Sequence, residues 1–241
     1  MEEDKELKLL VLCGGRGTRV SRISDGKPKS LLNLGADTLI DIVLEHVVKQ
    51  LPISEAHLLT GFRSEQIEHY YSRNQFKGIK LHFIKEQQPL GTGGAVLNAI
   101  GIMGPGNYLI INGDTIIESD LKAFLEYSKK SETDIIIAAF PVPDMSDYGG
   151  ISVNKNCDLI GFNEKGTSGS GIVNAGIYFF KETESLNSYA LSFLQGKHKS
   201  LSMEKEILND ETLRKKVWID WHGRFLDVGT PERFQIAKKC F

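Results

Sequence analysis

Along residues 7–140, short apolar runs of strand length alternate with segments whose apolar residues recur every three to four positions. This pattern predicts strands at 7–13, 55–60, 79–84, 107–112 and 133–140, and helices near 38–50, 63–71, 92–100 and 119–129. Strands that are apolar almost throughout need cover on both faces, so the fold class is α/β: a mostly parallel mixed sheet with helices on both faces. Ligands of such sheets bind beyond the carboxyl ends of the strands. After residue 140 the texture changes to short β-like runs, 149–154, 157–162 and 172–180, interleaved with Gly, Asn, Asp and Lys. A helix near 184–195 follows, then a short one at 202–209 with Ser202 as N-cap and Glu204 and Glu206 in its first turn, a structural role. A strand near 216–220 leads to a terminal helix that Thr230 caps and Pro231 opens. The expected organisation is a single domain over 1–241, in which 1–140 binds one ligand and 141–241 adds a small β insertion as the second wall of a cleft. No internal repeat, linker or low-complexity tract interrupts it.

Charge narrows the partners. The chain has 241 residues, 29 basic against 31 acidic, for a net charge of −2, and no segment gathers the basic residues into a stripe. Nucleic acid is therefore not expected, and a small molecule is. The longest apolar runs fall far short of the ~20 residues of a membrane helix, and the start, Met-Glu-Glu-Asp-Lys-Glu, is the opposite of a secretory signal. The expected location is cytoplasmic, with no membrane partner. Cys13, Cys157 and Cys240 are scattered and odd in number, so neither a disulfide framework nor a zinc site is indicated. Cys13 reads as a small core residue at the end of the first strand; the competing reading is a reactive thiol whose pKa is lowered by nearby backbone N–H groups.

The candidate chemistry starts at residues 8–19, where the first strand empties into Gly14-Gly15-Arg16-Gly17-Thr18-Arg19. Glycines let a backbone curl so that its N–H groups converge on anionic oxygens, while Arg16 and Arg19 add charge-assisted donors. Lys27-Pro28-Lys29 follows, with Lys29 ten positions after Arg19, near enough to fold over the same phosphates. The spacing lacks the third glycine of a dinucleotide fingerprint and the Gly-Lys-Ser/Thr of a P-loop. A nucleoside triphosphate site is the functional reading, and a glycine turn with incidental arginines the bland one. A triphosphate on a neutral protein calls for Mg²⁺, which takes one or two carboxylates. Asp114, at the end of the apolar run 108–111 with Gly113 letting a ligand approach, and Asp227, between apolar neighbours, are the candidate ligands; a turn residue and a helix cap are the alternatives. With no nucleophile signature and no metal-type histidine cluster, in-line phosphoryl chemistry by positioning is expected. Glu86 precedes the Pro89-Leu90-Gly91-Thr92-Gly93-Gly94 loop, where glycines allow a flat base to lie against backbone, Glu86 reads a base edge and Thr92 doubles as a helix N-cap. Glu164-Lys165 suits a sugar hydroxyl beside a phosphate, against a solvated turn pair. Tyr148-Gly149 and Asn174-Ala175-Gly176 offer polar contacts or plain turns.

Taken together, Gly14–Arg19, Pro28-Lys29, Pro89–Ala95, Asn112-Gly113-Asp114, Phe162–Lys165, Asn174–Tyr178 and Asp227–Pro231 resemble the motifs of the sugar-1-phosphate nucleotidyltransferases, in family order. The resemblance implies a Rossmann-like nucleotidyltransferase fold and Mg²⁺-dependent attack of a sugar 1-phosphate on the α-phosphate of a nucleoside triphosphate. It also implies roles: Arg19 on the β/γ-phosphates, Lys29 on the α-phosphate, Asp114 and Asp227 on Mg²⁺, Glu164 on a sugar hydroxyl and Lys165 on the attacking phosphate. Leu12, Gly14, Gly15, Gly17, Thr18, Glu86, Pro89, Gly91, Thr92 and Gly93 would line the nucleotide side, and Asn112, Tyr148, Gly149, Asn174 and Tyr178 the sugar side. Val20 and Ser21–Ser24 depart from the usual pattern of the loop, and no hexapeptide-repeat tail of the bifunctional members is present. A carboxylate at position 86 only accepts, which suits the adjacent N1–H and N2–H₂ donors of guanine and favours GTP. In its compact length, Leu90–Gly94, Asn112–Thr115 and Ser202-Met203-Glu204, the chain most resembles the D-glycero-α-D-manno-heptose-1-phosphate guanylyltransferases within the family, with mannose-1-phosphate guanylyltransferases, or a uridylyl-, thymidylyl- or cytidylyltransferase of hexose phosphates, as alternatives. An inactive nucleotide-sugar sensor is the alternative from another class. No helix face marks an interface, and the resemblance allows a homodimer.

Overall fold

A computed structural model of the protein describes residues 7–15, 17, 20, 24–73, 75–146, 148–163, 168–196 and 200–240, and of Asn163 and Asp227 the backbone. The first half runs β1 (Leu7–Leu12), β2 (Asn33–Leu34), β3 (Asp37–Thr38), α1 (Leu39–Gln50), β4 (Glu55–Thr60), α2 (Ser64–Tyr70), β5 (Gln75–Phe76) and β6 (Ile79–Lys85). It continues with α3 (Gly91–Met103), β7 (Asn107–Asn112), β8 (Thr115–Glu118), α4 (Leu121–Lys130) and β9 (Ile135–Val142). The rest comprises β10 (Gly150–Val153), β11 (Leu159–Asn163), β12 (Gly171–Phe180), α5 (Glu184–Gln195), a π-type turn at Met203–Ile207, β13 (Lys215–Ile219), β14 (Arg224–Asp227) and α6 (Pro231–Ala237).

Among the described residues, ten strands form one sheet. Its centre is parallel, with β7, β1, β4 and β6 side by side, and β12 joins antiparallel to β7. On its other edge β12 pairs with β9, which pairs in parallel with β13, and the amino-terminal part of β12 also holds β10 and, through it, β11. Alternation along β1 explains the layers: Leu9 and Val11 enter a core with α1, α2 and α4, while Leu10 enters a core with α3 and α5. Both faces are thus covered, and the fold is the mostly parallel α/β arrangement expected.

Local chemistry sets the boundaries. Thr38 and Asp41 cap α1 reciprocally, and buried Asp41 also accepts from the hydroxyls of Tyr70 at 2.5 Å and Tyr71 at 2.6 Å, so its charge is fully solvated by donors. Thr183 caps α5 and Thr230 caps α6, with Pro231 in its first turn. Two expectations and one alternative need correction. β8 and β14 are strands of a separate two-stranded sheet, with Asp227 opposite Thr115 and Arg224 opposite Glu118. Each is four residues long, and their pairing is long-range, so neither carries a periodic signal of its own. Thr92 does not cap α3: the helix starts one residue earlier, Leu90 stands at its N-cap, and Gly91 has φ +73°. Asp227 does not cap α6, because Thr230 does.

Candidate active site

The carboxyl ends of β1 and β7 and the start of α3 open onto two neighbouring cavities. The first, of ≈ 470 Å³, is bounded by Leu12, Gly14 and Gly15, by Gly61 and Phe62, by Glu86–Pro89, and by Gly91, Thr92 and Ala95. The second, of ≈ 310 Å³, is bounded by Lys29, Tyr148, Gly149, Asn174–Gly176, Tyr178, Ser202–Glu204, Phe225 and Gly229, among others. Thr92, Asn112 and Asp114 belong to both walls. At this junction the Lys29 ammonium donates to Asp114 Oδ2 at 2.9 Å. Lys29 is buried to 9% side-chain exposure, whereas Asp114 keeps 38% and can still face a ligand.

Glu86 sits half-buried on the wall of the larger cavity. Its Oε2 accepts from Leu90 N–H at 3.2 Å, and burial raises its pKa against the lowering effect of that bond. Gly14 and Gly61 crowd it: a Cβ on either would come within 3.3 Å of a Glu86 carboxylate oxygen. Gly14 therefore makes room for this side chain. Gly15 has open space around it, and Gly17 alone of the three loop glycines has a left-handed φ, +57°, where a Cβ would press on Lys29. Arg16, Thr18 and Arg19 lie outside the described residues, as do Glu164 and Lys165. Gly113 has a different use from the one expected: a Cβ there would meet Cys13 Sγ and Leu12 O at 2.9 Å, so the glycine lets β7 leave closely past β1. Cys13 itself is buried and desolvation, with Asp114 adding to it, raises its thiol pKa, which favours the core reading over the reactive thiol.

A bulge in β12 shapes the smaller cavity. Between Asn174 and Tyr178 the pairing to β9 slips by two residues, and Gly176 takes φ +72°. The missing side chain at Gly176 leaves the space that Asn112 occupies. Asn174 Oδ1 accepts from Gly176 N–H at 2.9 Å, which fixes the amide so that Nδ2 donates to Tyr178 OH at 2.8 Å and Glu204 Oε1 at 3.0 Å. Tyr148 is held between the Phe225 ring, edge-on at 5.4 Å, and the Arg233 guanidinium, 4.2 Å above its face. Of the side chains assigned from sequence, the structure gathers Leu12, Glu86, Pro89, Thr92, Asn112, Asp114, Lys29, Tyr148, Asn174 and Tyr178 about the two cavities. Asp227 is adjacent by backbone register, opposite Thr115.

Sequence reasoning missed Phe62 and Phe225, which line the cavities, and Arg233, which stacks on Tyr148; all three take these places only through tertiary packing. Glu204 stands out in sequence as a first-turn acid and within the stretch Ser202-Met203-Glu204, without a role at the cleft. Thr92 has a further use: its hydroxyl accepts from Met203 N–H at 2.9 Å, while Leu201 O accepts from Gly93 N–H at 2.9 Å and Gly94 N–H at 3.1 Å. The glycine-rich loop is therefore the docking surface for residues 201–203 as well as a cavity wall. Away from the cleft, the register of β4 and β6 sets His57 beside His82, and ligand atoms of Glu55, His57 and His82 lie within 4.8 Å of one another, a grouping the sequence reading did not anticipate. His82 Nε2 lies 3.0 Å and Lys80 3.9 Å from Glu55, while the His57 ring stacks on His82 and is acted on by the charge of Lys8.

The glycine turn after β1 and the two cavities that meet at the Lys29–Asp114 pair lie beyond the carboxyl ends of the parallel strands, where sheets of this class bind their ligands. The chain belongs to the nucleotidyl transferase family, whose model matches residues 8–239. It is 29% identical to the D-glycero-alpha-D-manno-heptose 1-phosphate guanylyltransferase of Aneurinibacillus thermoaerophilus, over 97% of both chains. To the enzyme of that name from Campylobacter jejuni it is 30% identical, over 95% of this chain and 97% of the other. Among solved structures, HddC from Yersinia pseudotuberculosis superposes with a TM-score of 0.84 at 28% identity, covering 97% of this chain and 99% of that one; HddC has also been solved in complex with GMP-PN. No helix among the described residues is long and apolar enough to cross a membrane.

Proposed function

We propose that the protein transfers GMP from GTP to a sugar 1-phosphate, D-glycero-α-D-manno-heptose 1-phosphate before others, giving the GDP-sugar and pyrophosphate. The observation that carries this reading is the pair of cavities sharing Thr92, Asn112 and Asp114, with Lys29 at the junction. Two substrates bound side by side would meet there. The acceptor's phosphate oxygen bonds to the α-phosphorus as the bond from that phosphorus to the β-phosphate bridging oxygen breaks, and pyrophosphate departs with the electron pair. Lys29, buried and cationic, is suited to neutralise the charge that grows on the α-phosphate oxygens. Arg19 is proposed on the β/γ-phosphates.

Glu86 supports the choice of guanine. It is a half-buried carboxylate on the larger cavity, one oxygen engaged by Leu90 N–H and the other free of any such bond among the described residues. Two adjacent N–H donors of a base edge match it, and no pyrimidine presents them in that arrangement. The relatives named as heptose 1-phosphate guanylyltransferases, and the GMP-PN complex of HddC, support the same choice. For Mg²⁺, Asp114 is a fitting ligand, an accessible carboxylate beside the triphosphate path, and Asp227 follows from the register opposite Thr115. When bound, the ion supplies charge screening of the triphosphate.

The test is pyrophosphate release from each of four nucleoside triphosphates with heptose, mannose, glucose and N-acetylhexosamine 1-phosphates, with and without Mg²⁺. A dominant GTP–heptose 1-phosphate signal is expected. UTP or CTP preference overturns the Glu86 argument, and release without added Mg²⁺ in the presence of chelator overturns the metal assignment. Silence in every pair overturns the enzymatic reading in favour of a nucleotide-sugar sensor.

A further inference from the structure

The smaller cavity contains one acidic side chain that the nucleotidyl-transfer chemistry leaves unused. Glu204 is exposed on the π-type turn Met203–Ile207 and lines the cavity with Asn174 and Tyr178. Asn174 Nδ2 donates to its Oε1 at 3.0 Å, and its Oε2 has no hydrogen bond among the described residues. The Asn174 amide cannot turn over to do otherwise, because its oxygen is committed to Gly176 N–H inside the β12 bulge. A lone carboxylate oxygen is thus held at a sugar-sized polar space.

The turn that carries Glu204 is rigidly built. Ser202 Oγ accepts from Lys205 N–H at 3.2 Å, and Glu206 Oε2 accepts from Ser202 N–H at 2.5 Å, so the turn closes on itself as a capping box does. Its amino-terminal side is tied to α3 through Leu201 N–H to Leu90 O at 2.7 Å and Met203 N–H to Thr92 Oγ1 at 2.9 Å. Met203 and Ile207 are buried beneath. A side chain used only for solubility needs none of this support.

Resting on the reading of the cleft as a sugar-phosphate site, we propose that Glu204 is a specificity residue that accepts a hydrogen bond from a hydroxyl of the acceptor sugar. A carboxylate has no donor, so it selects a hydroxyl over a hydrogen or an ether oxygen at that position. Loss of a hydrogen bond to a charged group weakens binding by about 10- to 100-fold.

Glu204→Gln keeps shape and tests charge. The expected result is a sugar 1-phosphate KM raised about 10- to 100-fold, an unchanged GTP KM, and an unchanged melting temperature. A series of monodeoxy mannose 1-phosphates sharpens the test: one deoxy position should penalise the wild type and leave Glu204→Gln indifferent. Equal sugar-phosphate KM in variant and wild type overturns the proposal, as does a loss shared equally by GTP KM and melting temperature, or a deoxy series that penalises both proteins alike. If the wild type turns over no pair at all, the functional reading fails separately. Calorimetric titration of mannose 1-phosphate into wild type and Glu204→Gln then decides Glu204: weaker binding by the variant supports it, and equal or absent binding overturns it.

Discussion

Gly93→Ala separates two explanations of the glycine-rich loop. If the loop is glycine-rich to admit a base, alanine at 93 should damage nucleotide binding; if it is glycine-rich to dock residues 201–207, the damage should fall on the sugar side. An added Cβ would stand 2.7 Å from Ile207 Cδ1 and 3.1 Å from Met203 N. Ile207 is 0% exposed and Met203 1%, so neither can swing into solvent. Overpacking of this kind costs about 1–3 kcal/mol, whereas replacing glycine by alanine inside a helix returns about 1 kcal/mol. The net expectation is a loss of roughly 0–2 kcal/mol, up to about 8 °C in melting temperature for a chain this long. Displacement of the turn also carries Glu204 away from Asn174, so sugar 1-phosphate KM should rise several-fold while GTP KM holds.

Ile207→Val supplies the control, since it deletes the methyl that collides. Alone it should cost about 0.5–1.5 kcal/mol; beside Gly93→Ala it should cost nothing or restore stability, a coupling of about 1 kcal/mol. Urea unfolding of the four proteins measures the cycle, and initial rates at varied substrate give the two KM values. Simple additivity of the two losses, or a kinetic defect borne by GTP, would refute the docking explanation.

The remaining predictions address the junction, the base pocket and pH. Asp114→Asn should remove most turnover at limiting Mg²⁺ while the protein still unfolds cooperatively; normal kcat there would move the metal elsewhere. Lys29→Ala should depress kcat more than either KM, because its charge matters most as the α-phosphate becomes five-coordinate, and an unchanged kcat would reassign that role. Because burial raises the Glu86 pKa, guanine's donors lose their acceptor as pH falls toward it. GTP KM should therefore rise from pH 8 to pH 5.5 in the wild type and stay flat in Glu86→Gln, and parallel profiles would sink the base-reading role. Burial holds the pKa values of His46 and His57 below that of a free imidazole, so the fold keeps them neutral while the unfolded chain binds protons below about pH 6.5. Melting temperature should drop from pH 7.5 to 5.5, with a smaller drop in His57→Gln. A flat wild-type profile would contradict the sign.

The parts of this molecule that were legible in sequence are those whose cause is local. The apolar stretches within 7–12, 55–60 and 107–112 are the buried parts of strands in the expected chain order, because both faces of a central parallel strand are covered. Thr230-Pro231 marks the start of α6 by chemistry confined to a few residues. What escaped is what needs a partner. β8 becomes a strand only because β14 lies against it, and the backbone of Asp227 comes opposite Thr115 through that register, not through its own neighbours. Thr92, in a strand-to-helix loop, has the composition of an N-cap, yet Gly91 at φ +73° lets α3 begin a residue earlier and releases the hydroxyl to Met203. Glu204 likewise fits a first-turn acid until the β12 bulge turns Asn174 toward it. In each case a residue with a sufficient local role is taken up by a distant segment, and the distant segments concerned are the two walls of the cleft. The glycines of residues 91–94 make that contact sterically possible, so the loop that borders the larger cavity also fixes the Glu204 carboxylate of the smaller one. Substitutions in this loop should therefore change acceptor selectivity even where they touch no acceptor.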